Sequence, residues 1–148
     1  MFEENDYSLR RRNTFGLDVR CARFIEYATV GELRQVLSEL REHPVSRLLH
    51  IGGGSNLLFT EDFDGLVLHS GIVGREVVSS EGTSVYVKAG AGEKWDEFVA
   101  WCVASGFFGL ENLSLIPGEV GASAVQNIGA YGVEAKDFIE SVDAVDVN

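Results

Sequence analysis

Two glycine-rich segments carry the residue types that could bind an anionic ligand. The first runs from Gly52 to Leu57, with the sequence GGGSNL, and follows a short apolar run. Its successive backbone N–H groups could form a concave anion site, and Ser55 and Asn56 add side-chain donors. We expect Gly53 to take a positive φ and to admit close approach of a ligand. A tight turn between two strands is the other open interpretation.

Neither common phosphate-binding pattern fits this first segment. The dinucleotide pattern G-x-G-x-x-G fails because position 57 is leucine, and the Walker pattern fails because no Gly-Lys-Ser/Thr follows. The segment therefore predicts an anion site of another kind, or none.

The second segment runs from Leu115 to Gly132, with the sequence LIPGEVGASAVQNIGAYG. Residues 118–127 could form a short helix with small residues in its first turns, where free N–H groups attract phosphate. Gln126 and Asn127 offer paired donors and acceptors. A loop packed under the core is the alternative. Neither segment contains lysine or arginine, so backbone amides and Ser or Asn side chains would have to neutralise a bound pyrophosphate.

Apolar periodicity predicts the elements that position these segments. A first strand at 23–28, a helix that starts at a Thr29–Glu32 capping box and a short buried strand at 47–51 form a β-α-β unit that ends in the glycine run. A strand at 65–69 follows. A hairpin of strands 76–79 and 84–89, with a Glu81-Gly82 turn, is expected next. A helix at 94–105 should follow, with Gly106 as its C-cap and an apolar stripe of Trp95, Phe98, Val99 and Cys102. The last expected element is a strand at 139–147.

Composition limits the class of protein. The chain has 148 residues, 45% of them hydrophobic, which suits a folded core, and its 17 glycines accompany only 2 prolines. A net charge of −11 argues against a nucleic-acid partner. The basic run 10–12 is interpreted as a solvated arm before the first strand. Three histidines and two cysteines show no metal-ligand spacing. With no apolar signal region and no long apolar run, we expect a cytoplasmic protein without a membrane partner.

Five motifs occur together and in order along the chain. They are NTFG at 13–16, GGGSNLL at 52–58, GAGEKW at 90–95, GLENLSLIPG at 109–118 and QNIGAYGVE at 126–134. Together they resemble the UDP-N-acetylenolpyruvoylglucosamine reductase family. The resemblance implies an α+β fold, the FAD-binding fold of the vanillyl-alcohol oxidase type. Residues 1–70 would form the first subdomain and 71–148 an incomplete second one, with the substrate-binding domain absent.

The resemblance also implies the cofactor site. The pyrophosphate and ribityl region of FAD would be lined by Gly52, Gly53, Gly54, Ser55, Asn56 and Leu57. The flavin side would be lined by Ile116, Pro117, Gly118, Gly121, Ser123, Gln126, Asn127 and Gly129. Tyr131 would lie near flavin and substrate. The family often has a serine or other small residue where this chain has Ala122, and proline where it has Ala124.

The implied activity is that of a flavoprotein oxidoreductase in peptidoglycan precursor synthesis. NADPH and FAD would serve the reduction of UDP-N-acetylglucosamine enolpyruvate to UDP-N-acetylmuramate, a UDP-sugar reaction that needs no evident protein partner. The family's serine acid and its arginine and glutamate partners would lie after residue 148, so no catalytic residue is assigned here. The alternatives are another FAD-dependent oxidoreductase of the same fold, such as an oxidase, and a noncatalytic nucleotide-binding module.

Overall fold

The computed structural model describes residues 1–147, which divide into two compact units. The first unit comprises Met1–Ile72 together with the short segment that begins at Ala144, and the second comprises Val73–Asp143. Both units contain helix and sheet, so the prediction of an α+β fold is confirmed.

The first unit is built on a four-stranded sheet with the strand order β1-β2-β4-β3. The strands are β1 (Phe2–Ser8), β2 (Arg20–Tyr27), β3 (Leu48–Ile51) and β4 (Phe63–Ser70). Strands β2, β4 and β3 are parallel, and β1 is antiparallel to β2. Helix α1 (Val30–Glu42) makes the crossover that two parallel strands require. The predicted β-α-β unit is present, with β4 inserted between its two strands.

Two predictions about this sheet are wrong. The strand expected at 23–28 is not the first, because β1 precedes it and pairs with it. The strand expected at 47–51 is not buried, because β3 is an edge strand in which Leu48 is 49% exposed. The central place belongs to β4, whose residues from Leu66 to Ser70 are all buried. An apolar run of four or five residues does not by itself distinguish a central strand from an edge strand.

Helix α1 begins as the sequence predicts. The Thr29 side chain accepts a hydrogen bond from the Glu32 N–H at 3.1 Å, and the Glu32 carboxylate accepts one from the Ala28 N–H at 2.7 Å. The carboxylate therefore reaches one residue further back than in the usual capping box. Val36 on this helix is buried with Leu66 on β4, and burial of each such side chain contributes about 1.5–3 kcal/mol.

The second unit contains two hairpins and two helices. Strands β5 (Arg75–Glu81) and β6 (Ser84–Ala89) form the predicted hairpin, with Gly82 in the turn at a φ of +58°. They are followed by α2 (Trp95–Ala104), α3 (Val120–Gln126) and a small hairpin of β7 (Gly129–Ala130) and β8 (Val133–Glu134).

Helix α2 supplies the core of the second unit. Its predicted stripe is confirmed, because Trp95, Phe98, Val99 and Cys102 are all buried together with Leu113. Gly106 ends the helix at a φ of +79°, its N–H donating to the Val103 carbonyl, and the next N–H donates to the Cys102 carbonyl. These two hydrogen bonds form the Schellman motif, which favours glycine directly after a helix.

The strand expected at 139–147 is wrong. This segment pairs with no strand within the described part of the chain and carries no regular secondary structure. The alternation of apolar and polar residues in this segment indicates only which side chains would share a face if the backbone were extended. A strand also needs a neighbour to accept its backbone hydrogen bonds, and that neighbour is a property of the tertiary structure.

Residues 1–147 contain neither a membrane-spanning helix nor a cluster of metal-binding side chains. No helix there is long and apolar enough to cross a membrane. No group of three or more His, Cys, Asp or Glu side chains in the same residues could hold a metal ion.

Candidate cofactor site

The glycine run Gly52–Gly54 follows directly on β3 and turns against the NTFG motif. Gly54 is the glycine of this run with a positive φ, +66°, and it is buried. A Cβ at Gly54 would overlap the Arg12 carbonyl oxygen and lie 2.9 Å from the Asn13 Cα. Gly54 is therefore required both by its backbone conformation and by the close approach of another backbone segment. The positive φ expected at Gly53 is at Gly54 instead.

Asn13 fixes the segment on which Gly54 packs. The side chain is buried, and its amide nitrogen donates to the carbonyls of Leu9 and Leu17 at 2.8 and 3.0 Å. Its amide oxygen accepts the Leu17 N–H at 3.0 Å. Three hydrogen bonds from one side chain close the loop 9–17 into a rigid support. Asn13 belongs to the NTFG motif, but the distance in sequence between this motif and the glycine run did not indicate that Gly54 packs against it.

The remainder of the glycine loop keeps donors available. Within the described residues, the backbone N–H groups of Gly53 and Asn56 donate to no other protein group. Asn56 is exposed, while Gly52, Gly53, Ser55 and Leu57 are half-buried. Leu57 packs against the apolar cluster of Leu9 and Phe24. The loop thus combines an anchored apolar side with a polar side that can meet a ligand.

The short helix expected at 118–127 is present as α3, which begins at Val120, and its first two N–H groups are already in use. The Val120 N–H donates to the Glu93 carbonyl and the Gly121 N–H to the Ala91 carbonyl, both at 2.9 Å. The Trp95 N–H donates in turn to the Gly118 carbonyl at 3.0 Å. Two of the first donors of α3 are therefore already used by the GAGEKW loop. The expectation of free N–H groups at this helix end is wrong for Val120 and Gly121, because tertiary pairing satisfies them first.

Gly121 is a packing glycine. A Cβ there would lie 2.8 Å from the Ala91 Cβ and 3.2 Å from the Ala91 carbonyl oxygen. Gly129 is similarly confined, since a Cβ would lie 3.0 Å from the Val133 carbonyl oxygen. Both glycines have structural reasons to be small before any ligand is considered.

The other polar side chains of α3 make internal bonds. The buried Ser123 hydroxyl donates to the Val120 carbonyl at 2.7 Å. Asn127 ends the helix in the left-handed conformation, at a φ of +45°, and its amide oxygen accepts the Lys136 N–H at 3.1 Å. Gln126 is exposed. Of these three, Gln126 is the side chain with a surface position that does not already serve the fold.

A shallow depression, too small to hold a water molecule, gathers part of the second segment. Its lining includes Pro117, Gly118, Ser123 and Gln126 from the predicted set. The predicted residues Ile116, Gly121, Asn127, Gly129 and Tyr131 do not line it. Ile116 packs against the core around α2.

Tyr131 occupies the turn between β7 and β8. Tyr131 and Gly132 both have positive φ, +54° and +81°, as a two-residue type I′ hairpin turn requires. The tyrosine is 86% exposed. A bulky residue in this conformation is strained, and such strain is concentrated at functional sites.

The basic run 10–12 is not wholly a solvated arm. Arg10 and Arg11 are exposed, but the Arg12 guanidinium lies 2.6 Å from the Glu26 carboxylate, which is also 2.9 Å from His69 Nδ1. Arg12 also lies over the Phe24 ring, 5.2 Å from its centroid. The interpretation of Arg12 was wrong because the sheet brings together partners that are 14 and 57 residues distant.

Comparison with known proteins decides the class of ligand. Residues 21–148 match the family model described as an FAD binding domain. The chain belongs to this FAD-binding family.

Two curated relatives of this FAD-binding chain share one name. It is 57% identical over 144 residues to the UDP-N-acetylenolpyruvoylglucosamine reductase of Bacteroides fragilis, which covers 97% of the chain and 43% of the relative. It is 48% identical over 143 residues to the enzyme of the same name from Pseudomonas putida, with 97% and 42% covered. The predicted resemblance is confirmed, and the chain spans less than half the length of these relatives.

The fold of the FAD-binding chain also has a solved counterpart. It matches the crystal structure of UDP-N-acetylenolpyruvylglucosamine reductase from Thermus caldophilus with a TM-score of 0.65, 22% identity, and coverage of 90% of this chain and 46% of that one. This match shows that the two share a fold.

The residues of the first unit fit the charged part of FAD. The diphosphate of FAD needs hydrogen-bond donors, and the glycine loop has N–H groups at Gly53 and Asn56 that donate to no group of residues 1–147. At the N-terminus of α3 the Val120 and Gly121 N–H groups are already paired with backbone carbonyls, so the fit of the second unit rests chiefly on its apolar and small residues.

Proposed function

We propose that this chain is the FAD-binding portion of an NADPH-dependent UDP-N-acetylmuramate dehydrogenase, the reductase of UDP-N-acetylglucosamine enolpyruvate. The single observation that carries the proposal is 57% identity over 144 residues to a reductase of that name. The order of the five motifs supports it, since they lie in both units. The function would belong to peptidoglycan precursor synthesis in the cytoplasm, and through it to cell-wall biogenesis, cell shape and cell division.

The two FAD-binding subdomains are proposed to be residues 1–70 and 71–148. In the first, Gly52–Leu57 would bind the diphosphate and ribityl region. In the second, the flavin side would be bound by Ile116, Pro117, Gly118, Gly121, Ser123, Gln126, Asn127 and Gly129. The N–H groups of Gly53 and Asn56, which donate to no described protein group, support the first assignment, and the family match over residues 21–148 supports the second.

The residues of the chain would bind and orient rather than react. FAD, when bound, supplies the hydride chemistry that no side chain can. Gly53 and Asn56 would donate hydrogen bonds to the diphosphate, and the packed glycines would fix the backbone around them. The exposed hydroxyl of Tyr131 would contact the UDP-sugar substrate. The general acid and the groups that stabilise the enolate would come from other parts of the full-length protein.

Two measurements on the full-length protein test the proposal. A flavin absorbance spectrum after purification should show bound FAD, and NADPH oxidation should depend on the enolpyruvyl sugar nucleotide. Bound FAD without this substrate dependence would favour another oxidoreductase of the same fold, and absence of flavin would favour a noncatalytic nucleotide-binding module.

Residues 1–148 expressed alone should have no reductase activity with saturating FAD. A missing general acid costs about 10²- to 10⁴-fold, and missing enolate stabilisation about 10²- to 10³-fold more. NADPH oxidation by this piece that depends on the enolpyruvyl substrate would show that the catalytic groups lie within it.

A further inference from the structure

Glu93 connects the start of the β5–β6 hairpin to residues 118–121, here called the flavin-side segment. Its carboxylate accepts the Gly74 N–H at 2.7 Å and the Arg75 Nε–H at 2.7 Å. Its backbone carbonyl accepts the Val120 N–H at 2.9 Å. One residue therefore holds two elements of the second unit, by its side chain on one side and by its backbone on the other.

Arg75 extends this connection to α2. While its Nε donates to Glu93, its Nη1 donates to the Glu97 carbonyl at 2.8 Å. Arginine and carboxylate pair in a fixed, planar geometry, which lysine cannot reproduce. The Glu93 side chain is only 10% exposed, so this pair is shielded from water. Burial would raise the pKa of Glu93, but the Gly74 N–H and the Arg75 guanidinium hold it below the usual value of 4.5.

The backbone around Glu93 determines where the flavin-side segment lies. The carbonyls of Ala91 and Glu93 accept the N–H groups of Gly121 and Val120, and the Trp95 N–H returns to the Gly118 carbonyl. A shift of the loop 91–95 would therefore move residues 118–121 with it. The two segments are also closely packed, since a Cβ at Gly121 would lie 2.8 Å from the Ala91 Cβ.

We propose that Glu93, held by Arg75, is a positioning residue that sets the conformation of residues 118–121 for FAD. The inference rests on the proposed function for the role of FAD. The core of the second unit has separate support, because Val99 and Cys102 of α2 pack on Leu113. Loss of the Glu93–Arg75 pair should therefore affect the segment before it affects the core.

Amide hydrogen exchange on the flavin-free, full-length protein separates these two effects. In Glu93→Gln, exchange at Val120 and Gly121 should accelerate at least about tenfold, while exchange at Val99 and Cys102 stays within about twofold. Equal acceleration in both places would show a merely structural residue and overturn the proposal. Unchanged exchange at Val120 and Gly121 would overturn it as well.

FAD binding gives the second readout. The dissociation constant of FAD should rise about tenfold in Glu93→Gln, which corresponds to about 1.4 kcal/mol. The control is Glu97→Gln, because Glu97 is 58% exposed, lies 3.7 Å from the same guanidinium and keeps the carbonyl that Arg75 binds. This control should bind FAD as the parent does. An equal loss in both variants, or a loosened segment with unchanged FAD affinity, would overturn the proposal.

Arg75→Lys keeps the test decisive if Glu93→Gln does not fold. It retains the charge and the bond from the Gly74 N–H to Glu93, but lysine lacks the planar guanidinium that donates to Glu93 and to the Glu97 carbonyl together. Exchange at the Val120 and Gly121 amides should therefore accelerate by a smaller factor. No acceleration there would overturn the proposal. A parent protein that binds no FAD would overturn the proposed function instead, and the exchange measurements would still decide whether Glu93 positions the segment.

Discussion

The two glycine segments use their backbone donors in opposite ways. In the first unit, the N–H groups of Gly53 and Asn56 donate to no described protein group. In the second unit, the N–H groups of Val120 and Gly121 donate to carbonyls of the GAGEKW loop. Both segments are rich in glycine and lack basic residues, so composition alone made them look alike. The difference teaches that a helix N-terminus is an anion site only where the rest of the fold leaves its donors free.

The glycines themselves also differ in purpose. Gly54 is needed for its positive φ and for contact with a backbone, and Gly121 for contact with the Ala91 side chain. Gly53 lacks a positive φ, and its own N–H donates to no described protein group. Substitution of Gly54 or Gly121 should therefore lower stability first, and substitution of Gly53 should lower FAD binding first, a division that measurements can contradict.

The largest effect is expected for Gly54→Val. Positive φ costs a side-chain residue about 1–2 kcal/mol, and the overlap with the Arg12 carbonyl adds about 1–3 kcal/mol of overpacking strain. Chemical unfolding should show the free energy of unfolding lowered by about 2–5 kcal/mol. A variant as stable as the parent would contradict the packing role of Gly54.

Gly53→Val should leave the fold intact and remove the flavin. A β-branched side chain would shield the free Gly53 N–H and keep the diphosphate at a distance. We expect no FAD to remain after gel filtration of the full-length protein, with a melting temperature of the flavin-free form close to that of the parent. Normal flavin occupancy would exclude this loop from the cofactor site.

Gly121→Ala should destabilise the second unit by about 1–3 kcal/mol, the usual range for overpacking. The new Cβ would lie 2.8 Å from the Ala91 Cβ. Combining it with Ala91→Gly removes that atom, so the double variant should recover part of the loss in a thermal melt. An additive loss in the double variant would show that the contact with Ala91 is not the cause.

The smallest effect is expected for Tyr131→Phe. The exposed hydroxyl would lose one hydrogen bond to substrate, a loss of about 0.5–1.5 kcal/mol or about 2- to 10-fold in the Michaelis constant of the sugar nucleotide. Flavin content and turnover should stay near those of the parent. Kinetics identical to the parent would remove Tyr131 from the substrate site.

Local sequence patterns correctly predicted the features that depend on interactions between residues close together in the chain. The Thr29 cap, the α2 stripe and the Gly106 stop each depend on residues within a few positions of one another, and each is present. The strand at 139–147 failed because a strand also depends on a distant neighbour. The family resemblance came from five motifs in order, and matched relatives confirmed it.

The sequence by itself determined the fold class, most helix and strand positions, and the family, because these follow from periodicity, capping chemistry and motif order. Only the tertiary structure decided which strand is central, which glycine adopts positive φ, and which amides stay free for a ligand. The physical reason is that a backbone donor is available only if no carbonyl elsewhere reaches it. For α3, those carbonyls belong to Ala91 and Glu93, about thirty residues earlier in the chain, and no local pattern around Val120 reveals them.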